Sequence, residues 1–373
     1  MRPGEVDVSV VTSGHDVADA RLHREVAAFQ RTGLTVEVAG LGSPDSAPPA
    51  ELVKARPRPG AGRRGGLLGR AALALAGPWR AKGRVIVTLD PDAAIGALLR
   101  RAVVGGRRLR WVADVHEDYL ALLADRPWAH GWRGRLARLG ARAGQWAARQ
   151  ADLTVVADAR LARAAPRRLV VPNLPDIGML PDDGAGQPTG QPVALYVGDL
   201  RASRGLFAML EALRAAPAWV LRLVGPVAPG DQLALDALMA DDAALKARLE
   251  LTGRQPPRQA WRGADGAWAG LLLLDQTAAF ADAMPSKLYE YLACGLPVIT
   301  TALRRPAELI RATGAGQVVA DAAEAGAVLR HWSDDPAEYA SVKAAAMAAR
   351  GAVLAEPDTM ARLARRVKAL AAT

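Results

Sequence analysis

The residues best suited to chemistry lie between Asp282 and Thr300, a stretch that reads Asp282-Ala-Met-Pro285-Ser286-Lys287-Leu-Tyr-Glu290 and closes on Gly295-Leu-Pro297-Val298. Pro285 and Ser286 predict a helix start with Ser286 as N-cap, followed by a helical run from Lys287 to Leu292. Gly295 then stops the helix and Pro297 leads into a buried strand. A helix N-terminus presents free N–H groups and a partial positive charge, which suits a phosphate. Lys287 adds a full charge at the same end. Glu290 lies one turn in, where a carboxylate accepts hydrogen bonds from the two vicinal hydroxyls of a ribose. Diphosphate beside ribose describes a nucleotide sugar. The plainer alternative is a capped helix with a structural Lys–Glu pair.

The elements that must position these groups alternate along the chain. Strand-like runs at Val6 to Thr12, Thr35 to Leu41, Arg84 to Leu89, Leu109 to Val115, Leu153 to Ala157 and Leu169 to Val171 are separated mostly by amphipathic segments such as Asp19 to Arg31. The Gly/Pro/Arg-rich stretch from Gly42 to about Gly66 predicts a long loop. A breaker-rich stretch from Pro172 to Pro192 follows, and then the alternation restarts at Val193 to Val197, Val220 to Val224, Leu249 to Thr252, Leu271 to Leu274, Val298 to Thr301 and Gln317 to Val319. Such alternation predicts an α/β fold with parallel, doubly wound sheets. The expected layout is a Rossmann-like domain over 1–172, a linker over 173–192 and a second Rossmann-like domain over 193–356. A terminal helix over 357–373 is expected to pack back on the first domain. Ligands of such sheets bind at the carboxyl ends of the strands.

Composition narrows the class. A length of 373 residues suits two domains, and 51% hydrophobic residues suffice for two cores. The single cysteine, Cys294, excludes an internal disulfide framework and suits a reducing compartment. No leader-like start is read, and no apolar run approaches the roughly 20 residues of a membrane span. These features predict a cytoplasmic protein. The net charge of +10 would serve nucleic acid, an anionic surface or an anionic substrate. No zinc-ligand spacing or RNA-binding signature accompanies it, so nucleic acid is not expected as a partner.

The segment from Asp282 to Val298 resembles the signature of the retaining glycosyltransferases of the GT-B fold, family 4 type. That family carries two acidic residues with seven between them, then a Gly-x-Pro-Val turn; Asp282, Glu290 and Gly295-Leu-Pro297-Val298 hold the spacing. The family usually has Glu first, so Asp282 is a shorter substitute. The resemblance implies that the first acid approaches the transferred sugar and the second grips the ribose. Gly198-Asp199-Leu-Arg201-Ala-Ser-Arg204-Gly205 resembles the family's Gly-Arg…Lys-Gly turn, whose basic residues bind the donor diphosphate. Arg204 stands at the Lys position, and Asp199 at the Arg position leaves Arg201 to supply the other charge. In the first domain, Asp114-Val-His116-Glu117 resembles the Asp-x-His-Glu segment of relatives, which implies that His116 faces the reacting sugar. After the first strand, Gly14 permits close approach to phosphate, and His15 and Arg21 are read on the acceptor side.

The resemblance implies two Rossmann-like domains facing a central cleft, with positive charge rather than a metal stabilising the departing diphosphate. No cofactor or metal is expected. Asp90-Pro91-Asp92 mimics a metal-binding Asp-x-Asp, but Asp92 reads as the cap of a helix over Ala93 to Arg100. The expected donor is a nucleotide sugar, and the expected acceptor is an envelope polysaccharide, a glycolipid or a secondary metabolite, that is, a sugar, lipid-linked or small-molecule acceptor. Arginines over 60–69 and 132–149, interleaved with Trp132, Leu136, Leu139 and Trp146, read as a solvated basic face, with peripheral contact at the inner membrane face as the alternative. Two other readings stand: a different GT-B enzyme such as an epimerase or phosphorylase, and a non-catalytic nucleotide-sugar-binding partner subunit.

Overall fold

The computed structural model describes residues 6–56, 65–105, 109–124, 129, 131–181, 184–185, 190–277, 280–355 and 358–373. The chain divides into two compact units, Met1–Asn173 with Pro357–Thr373, and Leu174–Glu356.

The first unit carries a seven-stranded sheet: β1 (Val8–Asp16), β2 (Val36–Leu41), β3 (Leu52–Arg56), β4 (Val85–Thr88), β5 (Arg110–Val115), β6 (Leu153–Val156) and β7 (Arg168–Val170). Every pairing is parallel, in the order β3-β2-β1-β4-β5-β6-β7. The order reverses between β1 and β4, so a crevice opens there at the strands' C-terminal ends. Parallel strands buried on both faces need continuous apolar runs, and Val8, Val10, Val36, Val38, Val85 and Val87 are all buried.

Helix α1 (Ala20–Arg31) starts where the Asp19 carboxylate accepts from the Arg21 and Leu22 amides. It lays Leu22, Val26 and Phe29 on one face of the sheet. The C-terminal helix, Thr359–Ala371, adds Leu363 and Val367 to that same core. Each such fully buried side chain contributes roughly 1.5–3 kcal/mol. On the other face lie α2 (Gly65–Arg80), α3 (Pro91–Val104) and α5 (Gly131–Ala148), with α4 (Tyr119–Ala124) between β5 and α5. Ala94, Ala97, Ala147 and Ala148 pack there around the buried Trp111.

Two stretches differ from their sequence reading. The expected loop from Gly42 contains the edge strand β3, which pairs with β2 from Leu52 to Arg56, and α2 already starts at Gly65. Five residues are too few for periodicity to show a strand, and the neighbouring β2 supplies the pairing. Helix α3 begins at Pro91 rather than Ala93, because proline is suited to a first helical position. Asp90 is therefore the residue at the cap, and Asp92 lies inside the first turn.

The second unit holds β8 (Val193–Val197), β9 (Val220–Val224), β10 (Leu249–Leu251), β11 (Ala269–Leu272), β12 (Val298–Thr301) and β13 (Gly316–Val319) in the order β10-β9-β8-β11-β12-β13, again all parallel. The reversal falls between β8 and β11. Helices α6 (Leu206–Ala215), α7 (Gln232–Asp241), α8 (Ala243–Lys246), α9 (Pro257–Trp261), α10 (Ser286–Ala293), α11 (Arg304–Thr313), α12 (Ala322–Asp334) and α13 (Pro336–Leu354) flank the sheet. Trp219, Trp332 and Tyr339 fill the core on one face, and Trp261 and Tyr291 that on the other.

Candidate active site

In the second unit, β8 is followed by Gly198, whose φ of 138° is open to glycine and strained for other residues. A Cβ on Gly198 would lie 2.4 Å from Lys287 Cε, so the absence of a side chain there is what lets Lys287 extend over the strand end. The ammonium group sits 5.5 Å from the centre of the Tyr196 ring, a cation–π arrangement. Next to it, Asp199 pairs with Arg201 Nη2 at 3.3 Å and with Arg254 Nη2 at 3.2 Å. Burial alone would raise the Asp199 pKa; the surrounding charges of Arg204, Arg254, Arg201 and Lys287 lower it instead. Four cations thus gather about one carboxylate, leaving an excess of positive charge at the C-terminal edge of this sheet.

The α10 N-terminus belongs to the same region. Pro285 stands at the cap with no side-chain cap bond, so Ser286 is the first helical residue and not the cap that the sequence predicts. Its Oγ lies 3.5 Å from Glu290 Oε2. Glu290 is only 7% exposed. Asp282 stands apart from this burial: its side chain is 55% exposed and pairs with Arg304 Nη2 at 2.6 Å. Gly205 takes the left-handed conformation at the start of α6, φ 84°, where a Cβ would lie 2.0 Å from the Leu273 carbonyl oxygen. Cys294 is buried behind α10, and burial pushes its thiol up to about 12, which makes it inert.

Arg254 escapes the sequence reading. It follows Gly253 at the end of β10, and its position at the carboxyl end of a strand was the available signal. Arg304 is a second such residue; it opens α11.

In the first unit a polar cluster spans the C-terminal ends of β1, β4 and β5. Asp90, beyond β4, accepts from the Thr12 hydroxyl at 2.6 Å, from the Ser13 amide at 2.8 Å and from the Gly14 amide at 3.1 Å. Gly14 is needed for that approach: a Cβ would stand 2.8 Å from both Asp90 Oδ1 and Arg70 Nη2. His15 Nδ1 faces Asp90 Oδ1 at 2.9 Å, and Arg70 lies 3.8 Å from the same oxygen. Burial disfavours the His15 imidazolium, but the Asp90 carboxylate outweighs it and raises the pKa to about 10. Asp92 accepts from Ser13 Oγ at 2.5 Å and from Arg70 Nε at 2.8 Å, so it ties β1 to α2 rather than capping α3.

From β5, His116 brings its Nε2 to 3.3 Å from His15 Nε2 and its Nδ1 to 3.3 Å from Asp114. Arg21 is buried and forks onto Asp114, with a further bond from Nη1 to Asn173. Burial would raise the Asp114 carboxyl; Arg21 holds it well below the ordinary range. His15, His116 and Arg21 therefore meet in one cluster, where Arg21 orients Asp114 and Asp114 in turn faces His116.

Solved structures share this architecture over the whole length. Sucrose-phosphate synthase from Thermosynechococcus elongatus aligns over 99% of this chain and 99% of its own, with a TM-score of 0.72 and 16% identity. HepE of Anabaena in complex with UDP and glucose aligns over 98% and 100%, with a TM-score of 0.65 and 16% identity. WaaG, a glycosyltransferase involved in lipopolysaccharide biosynthesis, aligns over 96% and 99%, with a TM-score of 0.63 and 16% identity. These likenesses assign the GT-B fold to the chain. No curated protein matches it. Residues 182–349, which include Gly198, the arginines around Asp199, and the whole of α10, match the family described as Glycosyl transferases group 1.

Proposed function

We propose that this chain is a retaining glycosyltransferase of the family 4 type that moves a sugar from a nucleotide-diphosphate sugar to an acceptor hydroxyl. The observation that carries the reading is the gathering of Arg201, Arg204, Arg254 and Lys287 around Asp199 at the strand ends of the second unit, beside the open N-terminus of α10 and the nearly buried Glu290. Two phosphates match the cations and the helix end. The two ribose hydroxyls match Glu290. The group 1 match covers these residues, and the similar fold of HepE is seen with UDP and glucose.

In the proposed reaction the bond from the anomeric carbon to the diphosphate oxygen breaks, and a bond to the acceptor oxygen forms on the same face. The acceptor proton passes to the departing diphosphate. Arg204, Lys287 and the α10 N-terminus stabilise the charge that develops there, so no metal is needed at the diphosphate. Asp282 and His116 position the sugar, and Gly14, His15 and Arg21 belong to the acceptor side through the cluster at β1 and β5. Asp282 would have to exchange its partner Arg304 for the sugar.

The acceptor is proposed to be part of the cell envelope, a lipid-linked sugar or polysaccharide reached from the cytoplasmic side. What favours a membrane surface is α5. Its inward face is made of the small residues Gly134, Ala141, Gly144 and Ala147, which leaves Trp132, Leu136, Leu139 and Trp146 all exposed beside Arg133, Arg135 and Arg142. These tryptophans and leucines do not serve as core anchors under a solvated basic face. Large apolar groups among arginines suit the interface of an anionic bilayer. Among the described residues no helix is long and apolar enough to cross a membrane.

The test is turnover with a panel of nucleotide sugars and lipid-linked acceptors, followed by NMR of the product's anomeric configuration. A retained configuration, and release of nucleoside diphosphate that falls at least 100-fold in Glu290→Ala, is expected. An inverted product would refute the retaining reaction. Donor binding without turnover on any acceptor would favour a non-catalytic binding subunit.

A further inference from the structure

Among the described residues, the cluster in the first unit places three potential metal ligands together, with the ligand atoms of His15, His116 and Glu117 within 4.8 Å of one another. We propose that these three residues form a site for one divalent transition-metal ion of the zinc type, bound through both Nε2 atoms and a Glu117 carboxylate oxygen.

The spacing supports it. A tetrahedral zinc ion at about 2.0–2.1 Å from two imidazoles holds their nitrogens roughly 3.3–3.4 Å apart. The two Nε2 atoms stand at 3.3 Å. The backing of the rings supports it independently. A ligating histidine commonly turns its other nitrogen to a carboxylate, which fixes the ring and strengthens it as a ligand. Here both rings do so: His15 Nδ1 lies 2.9 Å from Asp90 and His116 Nδ1 lies 3.3 Å from Asp114.

These carboxylates are themselves held. Asp90 takes Thr12 and two backbone amides, and Asp114 takes the guanidinium of Arg21. The two imidazoles are thus oriented by β1, β4 and β5 together rather than by one loop. Access is adequate, since the His15 side chain is 19% exposed while that of His116 is 6% exposed. Two imidazoles and one carboxylate are borderline-to-hard donors that suit zinc, cobalt or nickel over calcium or magnesium. Three protein ligands leave a fourth position for an oxygen ligand, such as a water or an acceptor hydroxyl.

The Asp90 carboxylate that favours a proton on His15 also strengthens the ring as a ligand, so an ion bound there displaces that proton, and direct titration tells a proton shared between the rings from an ion. The ion and the diphosphate cations belong to different units, so zinc binding in the first and nucleotide binding in the second are tested separately; with the ion bound, His15 and His116 would meet sugar and acceptor through it rather than directly.

The full-length protein, stripped with a chelator and exchanged into chelator-free buffer, is titrated with zinc chloride by calorimetry and with cobalt chloride by visible absorption. One equivalent of zinc, with a Kd of about 1 μM or tighter, and the absorption bands of a four- or five-coordinate cobalt site are expected. His15→Ala and Glu117→Gln should each weaken zinc binding at least 10-fold, with circular dichroism verifying the fold. His331→Ala, in the half-exposed His331, Asp335 and Glu338 group of the second unit, should leave it unchanged. No zinc binding, or binding lost in His331→Ala and kept in His15→Ala and Glu117→Gln, would overturn the proposal. Titration of the same stripped protein with UDP, GDP, dTDP and ADP reports on the donor site alone, so its failure would count against the proposed transferase and not against the metal site.

Discussion

Glu25 shows how a single buried group in the first unit sets its own pH dependence. It is fully buried on α1, and burial, followed by the neighbouring charge of Asp114, raises its carboxyl well above the ordinary value of 4.5. The neutral form is the one the fold accepts. Well below pH 4.5 both folded and unfolded chains hold the proton, and Glu25 contributes no pH dependence to stability. Above it the native state keeps a proton that the unfolded state releases, so stability falls as pH rises, by at most about 1.4 kcal/mol per pH unit from this group. Glu25→Gln removes that slope. Thermal melts should give the variant a gain in Tm over wild type that is larger at pH 8 than at pH 5; an equal difference at both pH values would show that Glu25 is ionised in the fold. Arg21 works in the opposite sense. It holds the Asp114 carboxyl low and also opposes the rise at Glu25, which burial and the Asp114 charge outweigh.

At the scale of elements, the strand ends and the helix starts make the chemistry. Gly198 is the clearest case. Alanine there would meet a φ of 138°, costing on the order of 1–3 kcal/mol, and its Cβ would displace Lys287 from the strand end. Gly198→Ala should therefore weaken nucleotide binding about tenfold while circular dichroism remains that of the wild type. Unchanged affinity would remove Lys287 from the donor site. The outward Trp132 and Trp146 of α5 lead to a second expectation. Replacing both by Ala should weaken sedimentation with anionic vesicles about tenfold, or roughly 1.4 kcal/mol, and binding should fall with salt as arginines are screened. No binding of the wild type to such vesicles would refute the membrane surface. Most of these elements could be read in the sequence. Val85–Thr88, Val193–Val197 and Val298–Thr301 are apolar runs between turn signals, and Val6 to Thr12 covers the apolar first half of β1, whose polar second half runs on to Asp16. Strand β3 could not, because Leu52–Arg56 is short, half-polar and set on the sheet by its neighbour β2. Nor could the orientation of α5, which reads as a solvated basic face, because only the packing of Gly134, Ala141 and Gly144 shows that Trp132, Leu136, Leu139 and Trp146 all point outward.

At the scale of the whole molecule, two sheets of the same winding each gather polar groups at the point where strand order reverses. What was legible followed sequence distance. Ser286, Lys287 and Glu290 share one helix, and Gly198 to Gly205 form one turn, so their grouping could be foreseen. Arg254 comes from the end of another strand, more than fifty residues from Asp199. Asp90, Asp92 and Arg70 reach the His15 region from β4, α3 and α2, and only the sheet order brings them there. The central claim is that the second unit holds a nucleoside diphosphate through its cations and Glu290. It is tested most directly by a thermal-shift panel of UDP, GDP, dTDP and ADP, with and without EDTA, on wild type and Glu290→Ala. The account predicts a rise in Tm with one nucleotide, insensitive to EDTA and largely lost in Glu290→Ala. No shift with any nucleotide, or an equal shift in both proteins, would contradict it.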